Sequence, residues 1–339
     1  MLAYRGHGNR DELMLRGRIL EDRALPTARA EDTVLQNLVA AYRRFETDEI
    51  PGARVLVRAR GREERVVTDE EGYFQVRLVG GEPGPSPEGW ESAEVVVPDQ
   101  PERGVLGARG SALVRVPGPS ARLGVITDVD DTVLRTGATS LIDVARNTLL
   151  RNARTRLPLA GVAALYRALE SGFEGSEQNP VFYVSSSPWN LYDLLLEFID
   201  VQDLPAGPFF LQDVGLDAAT VGVGSHLGHK LARIEEILAL HPHLPFVLLG
   251  DSGQKDPEVY REVVKRHPGR ILSVYIRDVS VDTRDRIVVE VADRMRAEGV
   301  DMLLVADSLE AAEHAADLGL IERECIDRVA AEVGRSRKR

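Results

Sequence analysis

From residue 122 onward, short runs that are apolar throughout alternate with longer stretches of helical periodicity, and no other feature of this chain constrains its fold so tightly. The runs are "LGVITDV", "VFYVSS", "PFVLLGD", "ILSVYIRD" and "MLLVAD". Between them lie "LAGVAALYRALES", "NLYDLLLEFID", "KLARIEEILAL", "PEVYREVVKRH" and "RDRIVVEVADRMRA". A strand apolar on both faces needs cover on both faces. Strands separated by helices therefore predict a parallel sheet between two helical layers. The expected fold of residues 119–339 is α/β, a Rossmann-like three-layer parallel sheet.

The preceding residues, 1–118, read differently. "ELMLRGRIL", "ARVLVRA", "SAEVVVP" and "SALVRVP" are strand candidates, and "ERVVTDEEGYFQVRLV" reads as a hairpin turning at Glu70, Glu71 and Gly72. One amphipathic helix, "EDTVLQNLVAAYRRF", interrupts them, capped by Asp32 or Thr33, with Val34, Leu35, Leu38, Val39, Tyr42 and Phe45 on a core-facing stripe. "VTDEEGYFQVRL" resembles small β-sandwich modules of the transthyretin or carboxypeptidase-regulatory type. The expectation is a small, mainly-β, sandwich-like accessory domain, joined through "PGPSAR" to the second.

The formal charge of -12, with a pI of about 5.2, argues against nucleic-acid binding, which runs on basic patches. The tail "GRSRKR" reads as a solvated end, its sharper alternative being a weak anionic-surface contact. Cys325 is the single cysteine, so no intrachain disulfide forms, which fits a reducing compartment. No apolar run approaches a membrane span, and "MLAYRGHGNRDELML" is too polar for a secretory signal. The expected location is cytoplasmic.

In an open parallel sheet the site forms at the carboxyl ends of the strands. Here the first strand runs into Asp128, Asp130 and Asp131, and the second into Ser185, Ser186 and Ser187. Lys230 opens a helix, and "LLGDSGQKD" carries Asp251 and Asp256. Carboxylates crowded into a partly dry cleft repel one another by several kcal/mol at an effective dielectric of about 20, so they call for positive charge among them. Hard oxygen donors suit Mg²⁺, whereas zinc would want His or Cys. A carboxylate can attack phosphorus to form an aspartyl-phosphate, a second can shuttle the proton, and hydroxyl, amide and ammonium groups can hold the phosphoryl oxygens. His226 and His229 flank Lys230 as substrate or positioning candidates. Asp131 reads as a loop residue, Lys255 as a solvated turn residue, Trp189 as packing at a helix start, and His241 with His243 as an exposed turn.

Asp128-Val129-Asp130-Asp131-Thr132 matches Asp-x-Asp-x-Thr, the first motif of the haloacid dehalogenase superfamily of phosphatases. Ser185, Lys230 and "GDSGQKD" resemble its second, third and fourth motifs, in order. More narrowly, "TDVDDTVLRTG", "FYVSSSPWNLY", "GHK" and "GDSGQKDPEVY" resemble the catalytic domain of the actin-patch-protein type of phosphatidate phosphatases. The resemblance implies Mg²⁺-dependent conversion of phosphatidate to diacylglycerol at a membrane surface, hence peripheral membrane contact. It implies Asp128 as nucleophile and metal ligand, and Asp130 as general acid/base with its carbonyl on the metal. Thr132 would order the loop, Ser185 and Lys230 hold the phosphoryl group, and Asp251 and Asp256 hold Mg²⁺. Ser186 and His229 are further substrate-binding candidates, since the serine triplet leaves the second motif open by one residue. The inserts between motifs, roughly 50 and 40 residues, are short for a large closed lid, which suits a large or membrane-held substrate. Competing expectations are the same chemistry on a soluble phosphomonoester or phosphoprotein, a receiver-type phospho-accepting module, and a catalytically silent scaffold.

Overall fold

The computed structural model describes residues 1–21, 49–84, 86, 88–103, 105–129, 161–212, 226–252, 255–278 and 285–337. The chain divides into two compact units, Met1–Gly118 with Tyr192–Leu194, and Pro119–Leu191 with Leu195–Arg339.

The first unit is built on one eight-stranded mixed sheet. Its strands are β1 (Leu2–Ala3), β2 (Gly6–Gly8), β3 (Glu12–Arg18), β4 (Arg54–Ala59), β5 (Arg62–Val67), β6 (Tyr73–Val79), β7 (Trp90–Val97) and β8 (Ala108–Arg115). They run in the order β1-β3-β2-β8-β7-β4-β5, with β6 also paired to β3. Alternate residues of β3, β4, β6, β7 and β8, among them Leu13, Val55, Phe74, Val95 and Val114, meet in one apolar core. Arg60 and Glu91 form a buried ion pair at 2.7 Å in the same unit.

The expected hairpin over "ERVVTDEEGYFQVRLV" is not formed as a pair. β5 pairs antiparallel with β4, while β6 crosses to β3. The two-residue turn at Arg60 and Gly61, both with positive φ, makes the tight hairpin, because its twist matches that of the flanking strands. The Glu70–Gly72 turn is present, closed by Asp69 and Tyr73, but it hands the chain on to another strand. The amphipathic helix expected over residues 31–45 lies wholly within 22–48, outside the described residues.

The second unit carries a six-stranded sheet whose pairs are all parallel. Its strands are β9 (Gly124–Asp128), β10 (Val181–Pro188), β11 (Phe209–Gln212), β12 (Phe246–Asp251), β13 (Ile271–Arg277) and β14 (Asp301–Val305). The order is β11-β10-β9-β12-β13-β14, so the chain reverses its direction of travel across the sheet on either side of β9. That reversal is a topological switch point, where the carboxyl ends of neighbouring strands open a crevice. All five expected strands are present. β11 joins them as an edge strand that the sequence pattern did not single out.

Helices cover both faces. They are α1 (Val162–Ser171), α2 (Tyr192–Val201), α3 (His226–Leu240), α4 (Asp256–Arg266), α5 (Asp285–Ala297), α6 (Ser308–Asp317) and α7 (Glu324–Arg337). On one face Ile126, Phe182, Phe246, Leu248, Val274 and Ile276 pack against apolar residues of α3, α4 and α5. On the other, Thr127 Oγ1 lies 2.6 Å from the Tyr166 hydroxyl of α1, and the Tyr275 hydroxyl lies 3.0 Å from His314 Nδ1 of α6. Burial pushes the Tyr166 phenol up to about 12, so it keeps its proton and this tie across neutral pH. Among the described residues, no helix is long and apolar enough to cross a membrane.

His241 departs from the exposed turn expected for it. It is buried, with its ring 5.3 Å from that of Phe182, and its carbonyl accepts a 2.7 Å hydrogen bond from Arg270; His243 is exposed.

Gly124 opens β9 where no side chain fits. A Cβ there would run into the Phe246 ring, 2.8 Å from its Cδ1. Gly124→Ala is expected to cost about 1–3 kcal/mol through overpacking, and Phe246→Leu in the same chain should recover part of it. Thermal melts of the wild type and the two variants check this; an unchanged midpoint for Gly124→Ala would show the strand is not so tightly held.

Candidate functional site

Three carboxylates and one ammonium converge at the carboxyl end of the parallel sheet. Asp128 is the last residue of β9, the strand flanked by β10 and β12. Asp251 is the last residue of β12, and Asp256 opens α4 after a short loop. One carboxylate oxygen from each of the three lies within 4.8 Å of the others. Lys230, one turn into α3, reaches into the group, its Nζ 3.0 Å from Asp128 Oδ1 and 2.9 Å from Asp256 Oδ1. The side chains of Lys230, Asp128 and Asp256 are each at most 5% exposed.

Local sequence explains the approach of Asp256. A Cβ on Gly250 would lie 2.6 Å from Asp256 Oδ2 and 2.8 Å from Tyr260 Cε2, so only glycine lets α4 dock on the strand end. The same Oδ2 accepts the Asp251 backbone N–H at 3.1 Å. Pro257 at the start of α4 costs no hydrogen bond, because the first helical N–H groups have no intrahelical acceptor. Tyr260, one turn on, donates its hydroxyl to Leu249 O at 2.7 Å. Its phenol is pushed well above its ordinary range, first by burial and then by Asp256, Asp128 and Asp251 nearby. It therefore stays a neutral donor at the edge of a negatively charged cluster.

Ser185 and Ser187 are fully buried and Ser186 is half-buried. The Ser185 hydroxyl accepts the Ser187 backbone N–H at 3.0 Å. His229 is buried beside Lys230, Trp189 is buried in the short helix after the serines, and Lys255 is exposed ahead of α4. Of the residues singled out from the sequence, Asp128, Lys230, Asp251 and Asp256 are thus gathered into one cluster. Asp130, Asp131 and Thr132 lie outside the described residues, as does the side chain of His226.

One charged residue at this edge escaped the sequence reading. Arg277 ends β13 directly beside Asp251. The signal was there: "ILSVYIRD" is an otherwise uncharged run that closes on a basic and an acidic residue.

Chemically, among the described residues the cluster is short of positive charge, with three carboxylates against one ammonium. All its donors are oxygens, a set that suits a hard divalent cation and not zinc.

Residues 123–278, which include every residue of this cluster, match the family model described as the catalytic domain of phosphatidate phosphatase APP1. Over 164 residues the chain is 32% identical to phosphatidate phosphatase APP1 of Saccharomyces cerevisiae, covering 48% of this chain and 27% of that protein. Over 165 residues it is 28% identical to an uncharacterised protein of Schizosaccharomyces pombe, covering 47% of this chain and 26% of that one. The chain thus spans about a quarter of the length of the curated relatives it matches. Among solved structures, a carbohydrate acetylesterase from Xanthomonas citri aligns over 78% of this chain and 65% of its own at 14% identity, with a TM-score of 0.26, too low to establish a common fold. The similarity that bears on the site is therefore that of residues 123–278 to a phosphatidate phosphatase catalytic domain.

Proposed function

We propose that this chain is a phosphomonoester hydrolase of the haloacid dehalogenase type, dependent on Mg²⁺, whose substrate is phosphatidate and whose product is diacylglycerol. The observation that carries the reading is the Lys230-bridged cluster of Asp128, Asp251 and Asp256 at the switch point of a parallel sheet. The match of this segment to a phosphatidate phosphatase catalytic domain supports phosphatidate as the substrate.

In this reading Asp128 attacks the phosphorus, the ester P–O bond breaks, and the leaving alkoxide takes a proton from Asp130. Asp130 then removes a proton from water, which attacks the aspartyl-phosphate and releases inorganic phosphate with Asp128 restored. Lys230 orients Asp128 and meets the phosphoryl oxygens together with the serine loop Ser185–Ser187, while Thr132 orders the loop after β9. Asp128, Asp251, Asp256 and the Asp130 carbonyl would hold Mg²⁺, which would supply charge neutralisation for the phosphoryl group. His229 supports the Lys230 turn of α3. The lipid substrate implies work at a membrane surface by peripheral contact, from the cytoplasmic side.

The test is phosphate release from phosphatidate in mixed micelles, with a soluble aryl phosphate in parallel. Mg²⁺-dependent release from the lipid is expected, and Asp128→Asn should lower it by about 10³-fold or more. Release from the aryl phosphate alone would overturn the lipid assignment and keep the phosphatase. No release from any phosphomonoester would overturn both.

Metal dependence has a readout besides activity. Saturating Mg²⁺ at about 100 times its Kd should stabilise the wild type by about 2.7 kcal/mol, reversed by a chelator. Asp251→Asn should lose most of that gain and, without metal, melt no lower than the wild type, because it removes a like charge from the cluster. A wild-type melt indifferent to Mg²⁺ would count against the metal.

A further inference from the structure

Arg277 sits where the proposed reaction needs a second cation. Register pairs it with Asp251 across β12 and β13, and its carbonyl accepts the Ser252 N–H at 2.9 Å. The backbone of Arg277 is thereby tied to the loop that carries Asp251 toward Asp256. Along β13 the side chains alternate. Val274 and Ile276 enter the core beneath α3 to α5, while Tyr275 reaches His314 on the opposite face. Arg277 continues the Tyr275 row, onto the face where Tyr166 meets Thr127, the residue before Asp128. Its charge acts there: it pulls the Tyr166 phenol down, against the raising effects of burial and of Asp128. Arg277 and Asp128 therefore bear on the same buried hydroxyl.

Arg277 is half-buried, and its guanidinium makes no hydrogen bond or ion pair with another described residue. No nitrogen of this guanidinium is among the buried, unpartnered polar atoms, so its five fixed donors stay within reach of solvent and of a ligand that supplies an acceptor. Lys230 is already engaged by Asp128 and Asp256. A planar fork beside an acid cluster matches the paired oxygens of a phosphate, which a guanidinium binds with two parallel hydrogen bonds.

We propose that Arg277 is a substrate-anchoring residue whose guanidinium binds the non-bridging oxygens of the phosphomonoester presented to Asp128. The inference rests on the phosphatase reading above and adds to it a specific phosphate contact on β13.

The test compares wild type, Arg277→Lys and Arg277→Met on whichever of phosphatidate and the aryl phosphate the wild type hydrolyses, with Mg²⁺ present. Inorganic phosphate serves as a competitive inhibitor and as a calorimetric ligand. Arg277→Met should raise both KM and the phosphate inhibition constant about 10- to 100-fold, the worth of a charged hydrogen-bonded contact, with a smaller change in kcat. Arg277→Lys should recover part of this, since it keeps the charge and loses the fork. Melting temperatures should stay within about 2 °C, because no partner among the described residues is lost. An active wild type with unchanged KM and phosphate binding in Arg277→Met overturns the anchoring role alone. So does a joint fall in melting temperature and kcat in which lysine is no better than methionine. A wild type that neither hydrolyses a phosphomonoester nor binds phosphate overturns the phosphatase reading as well.

Discussion

The contact on which this structure turns is the ammonium of Lys230 between Asp128 and Asp256. At an effective dielectric of about 20, each attraction at about 3 Å is worth on the order of 5–6 kcal/mol, and each carboxylate pair at about 5 Å repels by roughly 3 kcal/mol. Removing these groups from water costs several kcal/mol per ion, so the cluster is not a source of stability. It persists because the apolar strands that carry it are fixed independently. Val125, Ile126, Phe246 and Leu248 are fully buried and hold β9 and β12 in place whatever stands at their ends. The acids are thus imposed on a sheet that would form without them, which is how a site is grafted onto a fold.

Neutral phenols hold the negative cluster in shape. Tyr260 donates to the carbonyl of Leu249 on one face, and Tyr166 bonds Thr127 on the other. Burial and the nearby carboxylates hold both phenols above their ordinary range, so they remain protonated donors at neutral pH. A second negative charge in either place would have added to an electrostatic problem that Lys230 only partly offsets. Gly250 completes the arrangement by letting α4 approach closely enough for the Asp256 carboxylate to reach both Lys230 and the Asp251 backbone.

Much of this was legible in the residue order, and the reasons are specific. β9, β10, β12 and β13 are buried on both faces, so each reads as a continuous apolar run with a polar stop, and those stops carry the site; β14, at the sheet edge, is only partly buried. β11 was missed because an edge strand of four residues, "FFLQ", leaves too short a run to separate from a loop. The exchange of partners between β5 and β6 was missed because alternation predicts a strand but not its neighbour. Both Asp69–Tyr73 and Arg60–Gly61 carry turn chemistry, and only the second closes a strand pair. His241 was misread because its "HPHLP" context looks like an open turn, while tertiary packing sets its ring beside Phe182. Arg277 was passed over because a charge after an apolar strand is ordinarily a solvated end. Its meaning depends on register with Asp251, which no local pattern contains.

The whole-chain charge sharpens the problem that a phosphorylated substrate would meet. At -12, the mean field of the protein repels an anion. At physiological ionic strength the Debye length is about 8 Å, so that repulsion fades beyond the surface and groups at contact distance decide binding. At contact, a phosphate dianion would face three aspartates and a lysine already shared by two of them. Positive charge must then come from elsewhere. In the proposed chemistry a divalent cation among the aspartates would provide part of it, and the guanidinium of Arg277, which no other described residue engages, would provide the rest. An acidic protein can in this way bind an anionic substrate without a basic surface, since the charge that matters is confined to the strand ends.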